Sequence, residues 1–214
     1  MNVLIIFAHP DPASFDATLC DRTISELTAQ GHSVQLSDLY DMRFRPVVLP
    51  DDFTDRNMPT RFNLHAEQAH AVQHGTFAPD ILAEQRKVAW ADTLIFIFPL
   101  WWYSLPAIIK GWFDRVMAYG FAYGPGGDLM GRRALLVTTT GGPPRPFTPE
   151  KQHAINQLLD HVQRGMLHFC GLRVLPPHAI YGAVNANKSQ RDQFLRQYLQ
   201  MLRTLEDLAP LSFD

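Results

Sequence analysis

The sequence predicts an α/β fold in which helices cover both faces of a five-stranded parallel sheet. Strand and helix patterns alternate along the 214 residues, as the crossovers of a parallel sheet require. The predicted strands are continuous apolar runs, which are typical of strands buried on both faces. Three segments of unusual composition each follow a predicted strand. Together these observations favour the strand order 2-1-3-4-5, in a single domain spanning residues 1–214.

The predicted elements are bounded mostly by glycine and proline. Gly31 ends the first helix, and Pro79 begins the third. The strands cover 3–8, 33–36, 93–98, 133–137 and 172–175, and the helices cover 15–30, 62–74, 80–90, about 105–116, 149–169 and a last segment around 194–205. An irregular, proline-containing excursion over about 38–79 separates the second strand from the third.

Composition excludes several classes of function. The formal net charge of −2, without a basic cluster, gives no electrostatic reason to expect nucleic acid as a partner. No apolar stretch is long enough for a membrane span or a signal-peptide core, so we expect a cytoplasmic protein without membrane insertion. Cys20 and Cys170 match no metal or redox spacing, and their apolar neighbours predict buried thiols. We expect no metal centre.

The segment after the third strand is the most informative one. The strand breaks at Pro99, the aromatic loop Leu100-Trp101-Trp102-Tyr103 follows, and a helix begins near Leu105 with Ser104 as its predicted N-cap. This edge is where open α/β sheets bind ligands. The loop therefore predicts a flat apolar surface for a flat ligand. The alternative is a hydrophobic plug for the sheet edge.

The loop after the first strand, residues 9–15, runs straight into a helix. The free N–H groups and the dipole at a helix N-terminus suit a phosphate or pyrophosphate. Ser14 can add a hydroxyl and His9 an N–H to the same anion. The alternative is that Ser14 only caps the helix and His9 packs locally.

The loop after the fourth strand is Thr139-Thr140-Gly141-Gly142. Glycines permit a positive φ, so this segment predicts a nest of N–H groups around one acceptor. Downstream, His153 lies near the start of the next helix and either stabilises negative charge on a ligand or is simply solvated. In the order 2-1-3-4-5, all three loops meet at the point where the strand order reverses.

Hydrolase motifs are absent from the sequence. There is no G-x-S-x-G elbow and no H-E-x-x-H motif. His65, Glu67 and His70 lie close together, but in a polar helix that we predict to be exposed to solvent. Metal-assisted hydrolysis is therefore not expected.

Five segments occur in a characteristic order along the chain: AHPDPASF, SDLYDMRFRP, PDILAEQRKVAWADTLIFIFPLWWYSLPAIIKGWFDRV, TTGG and GMLHFCGLRVLPP. In these segments the sequence resembles the NAD(P)H:quinone oxidoreductases of the DT-diaphorase type, and the resemblance extends to about Pro177. It implies a flavodoxin-like fold, a homodimer with active sites at the interface, and a bound flavin, FAD or alternatively FMN. It also implies that a hydride passes from NAD(P)H through the flavin to a quinone by a ping-pong mechanism.

The resemblance also implies roles for individual residues. For cofactor binding, it implies His9, Ser14, Phe15, Asp16, Asn63, Leu100, Trp101, Trp102, Tyr103, Thr139, Thr140, Gly141, Gly142, Phe147 and Arg191. For catalysis it implies His153, Gly141 and Gly142, and for substrate binding Trp102, Tyr123 and His153, with Tyr123 supplied across the dimer. Several positions depart from the family pattern. Asp16 stands where an asparagine is common, Asn63 where the family has a glutamine, and Phe147 where it has a tyrosine, and Gly124-Pro125 replaces a second tyrosine of the Tyr123 loop.

Two other functions are compatible with this fold. One is a regulatory flavoprotein subunit of a membrane transporter, of the potassium-efflux ancillary type. The excursion at 38–79 and the matches on the FAD side favour the stand-alone enzyme over this alternative. The other is a one-electron flavodoxin carrier, whose usual Ser/Thr-rich phosphate loop and strong acidity are missing here.

Overall fold

A computed structural model describes residues 1–127, 129–142 and 152–213, apart from the side chains of residues 152–154. Twelve helices and strands of these ranges position the site. They are β1 (Asn2–Phe7), α1 (Phe15–Ala29), β2 (Ser33–Asp38), α2 (Leu64–His74), α3 (Pro79–Trp90), β3 (Thr93–Pro99), α4 (Ala107–Val116), β4 (Arg133–Thr139), α5 (Gln152–Val162), β5 (Arg173–Val174), β6 (His178–Ile180) and α6 (Lys188–Arg203).

The sheet is parallel and has the order β2-β1-β3-β4-β5, which confirms the predicted order. The predicted count of five strands was wrong, because β6 also pairs with β4 and makes the sheet six-stranded. Pro176 and Pro177 separate β5 from β6. Proline has no backbone N–H to donate to the neighbouring strand. The segment that pairs with the free edge of β4 is therefore divided into two short strands, β5 and β6.

Alternate residues of the central strands belong to two hydrophobic cores, one on each face of the sheet. Leu4 and Ile6 of β1 pack in the core that contains residues of α3, α4 and α5, whereas Val3 and Ile5 pack in the core with α1 and α6. Strand side chains point alternately to opposite faces, so one apolar run serves both cores. Both thiols are buried as predicted, and burial raises the pKa of Cys20 to about 12 and that of Cys170 to about 11.

Buried ion pairs connect the excursion at about 38–79 to the helices that cover the sheet. The Arg115 guanidinium of α4 is fully buried and pairs with Asp52 at 2.9 Å and Asp80 at 2.8 Å. The α2 helix was predicted to be exposed, and for Glu67 this was wrong. The Glu67 carboxylate is buried, pairs with Arg56 at 3.0 Å and accepts a backbone N–H. A charged residue is buried only when such partners compensate its desolvation.

Two predicted helix boundaries also differ from the structure. Ser104 does not cap α4, because the helix begins at Ala107 with Pro106 at the N-cap. The predicted helix 149–169 is regular only over α5, and it continues as a π turn at Gln163–Leu167 and a 3-10 turn at His168–Cys170. Residues 149–151 lie outside the described ranges.

Candidate functional site

A cleft of about 430 Å³ lies at the carboxyl ends of β1, β3 and β4. The loops that follow these three strands all contribute to its wall, as the strand order requires. The lining residues are His9, Asp16, Pro99, Leu100, Trp101, Trp102, Thr139, Gly141 and Val184. Seven of these nine residues are among the cofactor-binding residues predicted from the sequence; Pro99 and Val184 are not.

The first loop brings the N-terminus of α1 to the cleft. Ser14 is the N-cap, and its Oγ accepts the backbone N–H of Ala17 at 3.0 Å. The hydroxyl proton of Ser14 takes no part in this bond, so it can still be donated to a ligand. His9 Nδ1 lies 3.0 Å from the backbone nitrogen of Asp11 and 3.1 Å from its carbonyl oxygen, so it accepts from the N–H or donates to the carbonyl according to the tautomer. Capping and ligand binding are therefore compatible roles for Ser14.

Asp16 lies in the first turn of α1 and faces the end of β4. Its carboxylate is 4% exposed, and the Thr139 hydroxyl approaches both of its oxygens, at 3.0 and 2.8 Å. Burial raises the pKa of Asp16, while the Thr139 bond and nearby His9 oppose that shift. The cleft thus has an acidic group in its floor, next to the helix N-terminus that suits an anion.

The aromatic loop is a two-residue turn. Trp101 and Ser104 exchange backbone hydrogen bonds at 3.2 and 3.0 Å, and the two residues between them have positive φ, 50° for Trp102 and 59° for Tyr103. Large residues rarely adopt this left-handed conformation. The turn leaves the Trp102 side chain 96% exposed. The alternative of a hydrophobic plug is therefore excluded for Trp102, which does not fill the sheet edge.

A polar contact holds the base of this turn. Ser104 Oγ lies 3.0 Å from Nε2 of His161, a residue of α5 that sequence reasoning did not single out. The Ser104 hydroxyl is thus engaged with α5, and α4 begins only at Ala107. A second cavity of about 510 Å³ lies beside this pair and is also lined by Trp101 and Trp102. The turn therefore separates two adjoining cavities.

The loop after β4 differs from the predicted nest. Neither Gly141 nor Gly142 has a positive φ, so the alternating conformation of a nest is not formed. Instead, Thr140 Oγ1 donates to the Gly142 carbonyl at 2.9 Å and accepts the Gly182 N–H at 3.2 Å. These bonds tie the loop to the segment after β6. Both glycines remain exposed at the mouth of the cleft.

Arg191 of α6 lies next to Val184, one of the residues that line the cleft. Its Cζ lies 5.8 Å from the centre of the Phe15 ring, and one terminal nitrogen donates weakly to the Val184 carbonyl at 3.5 Å. The Nε of Arg191 is buried and has no hydrogen-bond partner among the described residues. A buried N–H of a charged group without a partner is costly, so this nitrogen is a candidate donor to a ligand.

Comparison with known proteins identifies the family. The chain matches the model of a family described as having a flavodoxin-like fold over residues 1–202. The mouse ribosyldihydronicotinamide dehydrogenase [quinone] is 39% identical over 217 residues, which are 98% of this chain and 94% of the mouse protein. The guinea-pig (Cavia porcellus) NAD(P)H dehydrogenase [quinone] 1 is 38% identical over 219 residues, covering 99% and 80%. The chain belongs to the flavodoxin-like NAD(P)H quinone oxidoreductase family.

A crystal structure from Klebsiella pneumoniae, described as a candidate quinone reductase, supports the same assignment. It is 38% identical and superposes with a TM-score of 0.95, covering 100% of this chain and 88% of the other. Within the ranges described above, no group of three His, Cys, Asp or Glu side chains could hold a metal ion. No helix in those ranges is both long enough and apolar enough to span a bilayer.

Some of the described residues that the quinone oxidoreductase resemblance implies are not among those that line the cleft: Ser14, Phe15, Asn63, Tyr103, Tyr123, Thr140, Gly142 and Arg191. Asn63 caps α2, where its Oδ1 accepts the Ala66 N–H at 3.2 Å. Tyr123 lines a separate cavity of about 790 Å³ near the beginning of β4 and β5. Phe147 lies outside the described residues, and so does the side chain of His153. Their implied roles therefore stay predictions.

The residues that sequence reasoning missed share one property. Val184 and His161 come from segments distant in sequence from the three loops, and neither belongs to a motif. An apolar residue in a short irregular segment gives no periodic signal, so nothing in the sequence could have indicated Val184. His161 was equally hidden, because it is one polar residue on an amphipathic helix.

Proposed function

We propose that this protein is a flavin-dependent NAD(P)H:quinone oxidoreductase that transfers two electrons by a ping-pong mechanism. The observation that carries the proposal is the cleft in which an exposed aromatic turn, a helix N-terminus and the end of β4 converge. The family relatives are named as quinone dehydrogenases, which favours the enzyme over a regulatory subunit of a transporter.

The residues around the cleft fit a flavin dinucleotide. The flat side chain of Trp102 can cover an isoalloxazine ring, and the N-terminus of α1 suits a diphosphate. The buried Nε of Arg191 has no hydrogen-bond partner among the described residues, so it is available to donate to a ligand. Arg191 lies beyond the first loop, where an adenosine moiety would extend, so we infer FAD in preference to FMN.

The bound flavin would supply the chemistry by accepting a hydride from NAD(P)H and delivering it to the quinone. The aromatic turn, fixed by its two backbone bonds and by the Ser104–His161 contact, would cover one face of the ring and leave the other face for both substrates in turn. Backbone N–H groups of Gly141 and Gly142 would donate to the electron-rich edge of the ring. Donors fixed before the reaction stabilise developing charge without reorienting.

The predicted roles of His153 and Phe147 belong to this scheme. A histidine near the start of α5 would stabilise negative charge on the flavin. Phe147 has no hydroxyl and could not share that task. We therefore assign the task to His153 together with the N–H groups at the end of β4.

We also infer a homodimer that completes the substrate site. The cavity of about 790 Å³ that contains Tyr123 is bordered by Met130, which is 78% exposed, and Phe169, which is 64% exposed. Exposed large apolar groups around a cavity are typical of protein interfaces. Tyr123 would face the flavin of the partner subunit across this interface. Asn63 would also reach a flavin only in such an assembly.

We further propose a cytoplasmic location for the enzyme. Both cysteines are free thiols. Free thiols are usual where glutathione and thioredoxin keep a compartment reducing.

The first experiment is to purify the protein, denature it and identify the released yellow cofactor by mass. Steady-state rates are then measured with NADH, NADPH or ribosyldihydronicotinamide as donor and a soluble benzoquinone as acceptor. Parallel double-reciprocal lines are expected, since one face of the ring serves both substrates. A colourless protein that binds neither FAD nor FMN, or intersecting lines, would refute the proposal.

Matched variants localise the site. Trp102→Ala should weaken flavin binding and lower the rate at fixed flavin. Val47→Ala removes an exposed apolar side chain outside the cleft and should leave both unchanged. Equal effects of the two variants would argue against the cleft.

A further inference from the structure

The carboxylate of Asp16 places a negative charge at the cleft. The diphosphate of a bound flavin dinucleotide would bring two more negative charges to the same place. The Asp16 carboxylate is buried at the N-terminal turn of α1, on the wall of the cleft, and accepts the Thr139 hydroxyl. A hydroxyl has a single proton, so the two short contacts from Thr139 share one hydrogen. Thr139 therefore leaves part of the acceptor capacity of Asp16 unused.

Among the residues that the structure describes, few charged side chains lie close enough to Asp16 to compensate its charge. His9, on the loop after β1, is the charged or titratable neighbour that stabilises the carboxylate. Arg191 of α6 stacks on Phe15, the residue before Asp16. Asp11 lies on the exposed side of the first loop, and the facing residues of the aromatic turn and of β4 carry no charge. Burial accordingly raises the pKa of Asp16.

A diphosphate at the N-terminus of α1 would lie next to this carboxylate. Two negative groups in a poorly solvated site cannot both stay ionised at low cost, and the group that can take up a proton does so. The diphosphate of FAD is a strong acid and stays ionised. The proton is therefore taken up by Asp16.

We propose that Asp16 makes dinucleotide binding proton-linked in this protein: one proton moves from solvent to the Asp16 carboxylate as the diphosphate of FAD enters the cleft. The proposal rests on the function proposed above, namely that the cleft binds a flavin dinucleotide. It assigns Asp16 as a residue that sets cofactor affinity and makes that affinity depend on pH.

The sign of the pH dependence follows from the linkage. The pKa of Asp16 is higher in the complex than in the free protein, so affinity for FAD falls as pH rises between these two values. One proton changes the affinity at most about tenfold per pH unit. A protonated His9 would attract the same anion and give a slope of the same sign. The two contributions are separated by variants.

The experiment measures the dissociation constant of FAD from flavin-free protein by fluorescence, between about pH 5.5 and about pH 8.5. Riboflavin is the control probe because it lacks phosphate. FMN is avoided, since its terminal phosphate itself titrates at about pH 6. Calorimetry in two buffers of different ionisation enthalpy counts the protons taken up. Wild type should take up close to one proton with FAD and none with riboflavin.

Asp16→Asn is the decisive variant, because its amide oxygen still accepts the Thr139 hydroxyl. It should bind FAD about a hundredfold more tightly than wild type at the alkaline end, as uptake of close to one proton by wild type requires, and take up no proton at that site. Asp21→Asn makes the same charge change on the exposed side of α1 and should behave as wild type. His9→Asn should keep the proton uptake due to Asp16. Thr139→Val, which removes the donor that stabilises the ionised carboxylate, should move the pH dependence to higher pH.

The outcomes distinguish the two proposals. If wild type binds neither FAD nor riboflavin, the proposed function fails and this inference fails with it. If wild type binds FAD with the same affinity across the pH range, or if Asp16→Asn retains the proton uptake, only the inference is overturned. Should Asp16→Asn not fold, the contrast between FAD and riboflavin in wild type still decides the question.

Discussion

Replacing Arg115 with methionine should destabilise the protein by about 3 kcal/mol. The Arg115 side chain is 0% exposed, and it donates to Asp52 from Nε at 3.1 Å and from a terminal nitrogen at 2.9 Å. It also pairs with Asp80 and donates to the Arg45 carbonyl at 3.1 Å. Methionine fills much of the same volume, so the loss is mainly electrostatic: a buried carboxylate at Asp52 loses its main partner.

The expected loss of stability depends on the partners that Asp52 keeps when Arg115 is replaced. Removing one partner of a buried ion pair typically costs about 3–5 kcal/mol. Asp52 keeps its contact with Arg45 and the backbone N–H of Leu49 at 3.2 Å, so the lower end of the range applies. The double variant Asp52→Asn with Arg115→Met removes the stranded charge and should cost only about 1.5 kcal/mol.

The assay is urea denaturation followed by tryptophan fluorescence at matched flavin content. Lys110→Met is the control, since Lys110 lies on the same helix but pairs with Asp114 at an exposed site. It should change stability by less than about 0.5 kcal/mol. A loss below about 1 kcal/mol for Arg115→Met, or a double variant less stable than that single variant, would refute the electrostatic argument.

Three further changes test other parts of the structure. Gly111→Ala should cost about 2–3 kcal/mol in urea unfolding, because its Cβ would lie 2.0 Å from the Pro46 carbonyl oxygen; an unchanged midpoint would contradict this close approach. Trp102→Gly should gain about 1 kcal/mol by relieving a positive φ at an exposed side chain, while weakening flavin binding; a loss of stability would mean that the turn is not strained. Burial lowers the pKa of His178 to about 4, below its unfolded value, so stability should fall by up to about 3 kcal/mol as pH drops from 7 towards 4. His178→Gln should lose less stability than wild type over that range in thermal melts, and parallel curves would contradict the assignment.

The framework of the fold could be predicted because its signals are local. A continuous apolar run such as Leu94–Phe98 identifies a buried strand without reference to any other part of the chain, and Ser14 caps α1 through a bond to a residue three positions away. The order of the strands then follows from general rules for crossovers. That order is enough to bring the three loops to one edge of the sheet.

Local signals failed where a residue's conformation depends on partners elsewhere. The Thr-Thr-Gly-Gly sequence permitted a nest, but bonds from Thr140 to the segment after β6 give the glycines ordinary φ values. Ser104 has the sequence of a helix cap, yet its hydroxyl contacts His161, 57 positions later. In each case the departure from a local preference worth about 1 kcal/mol goes together with a hydrogen bond to a distant residue, which a local pattern does not contain.

By itself, then, the amino-acid sequence determined five of the six strands of the described sheet, their order, the approximate positions of the helices and the three loops that surround the cleft, because hydrophobic periodicity and turn chemistry act over a few residues. Only the tertiary structure decided which charges are buried and what compensates them. Asp16 and Thr139 are 123 positions apart, and Arg115 and Asp52 are 63 apart. Burial and ion pairing depend on distance in space, which the folded chain sets and a local pattern does not contain.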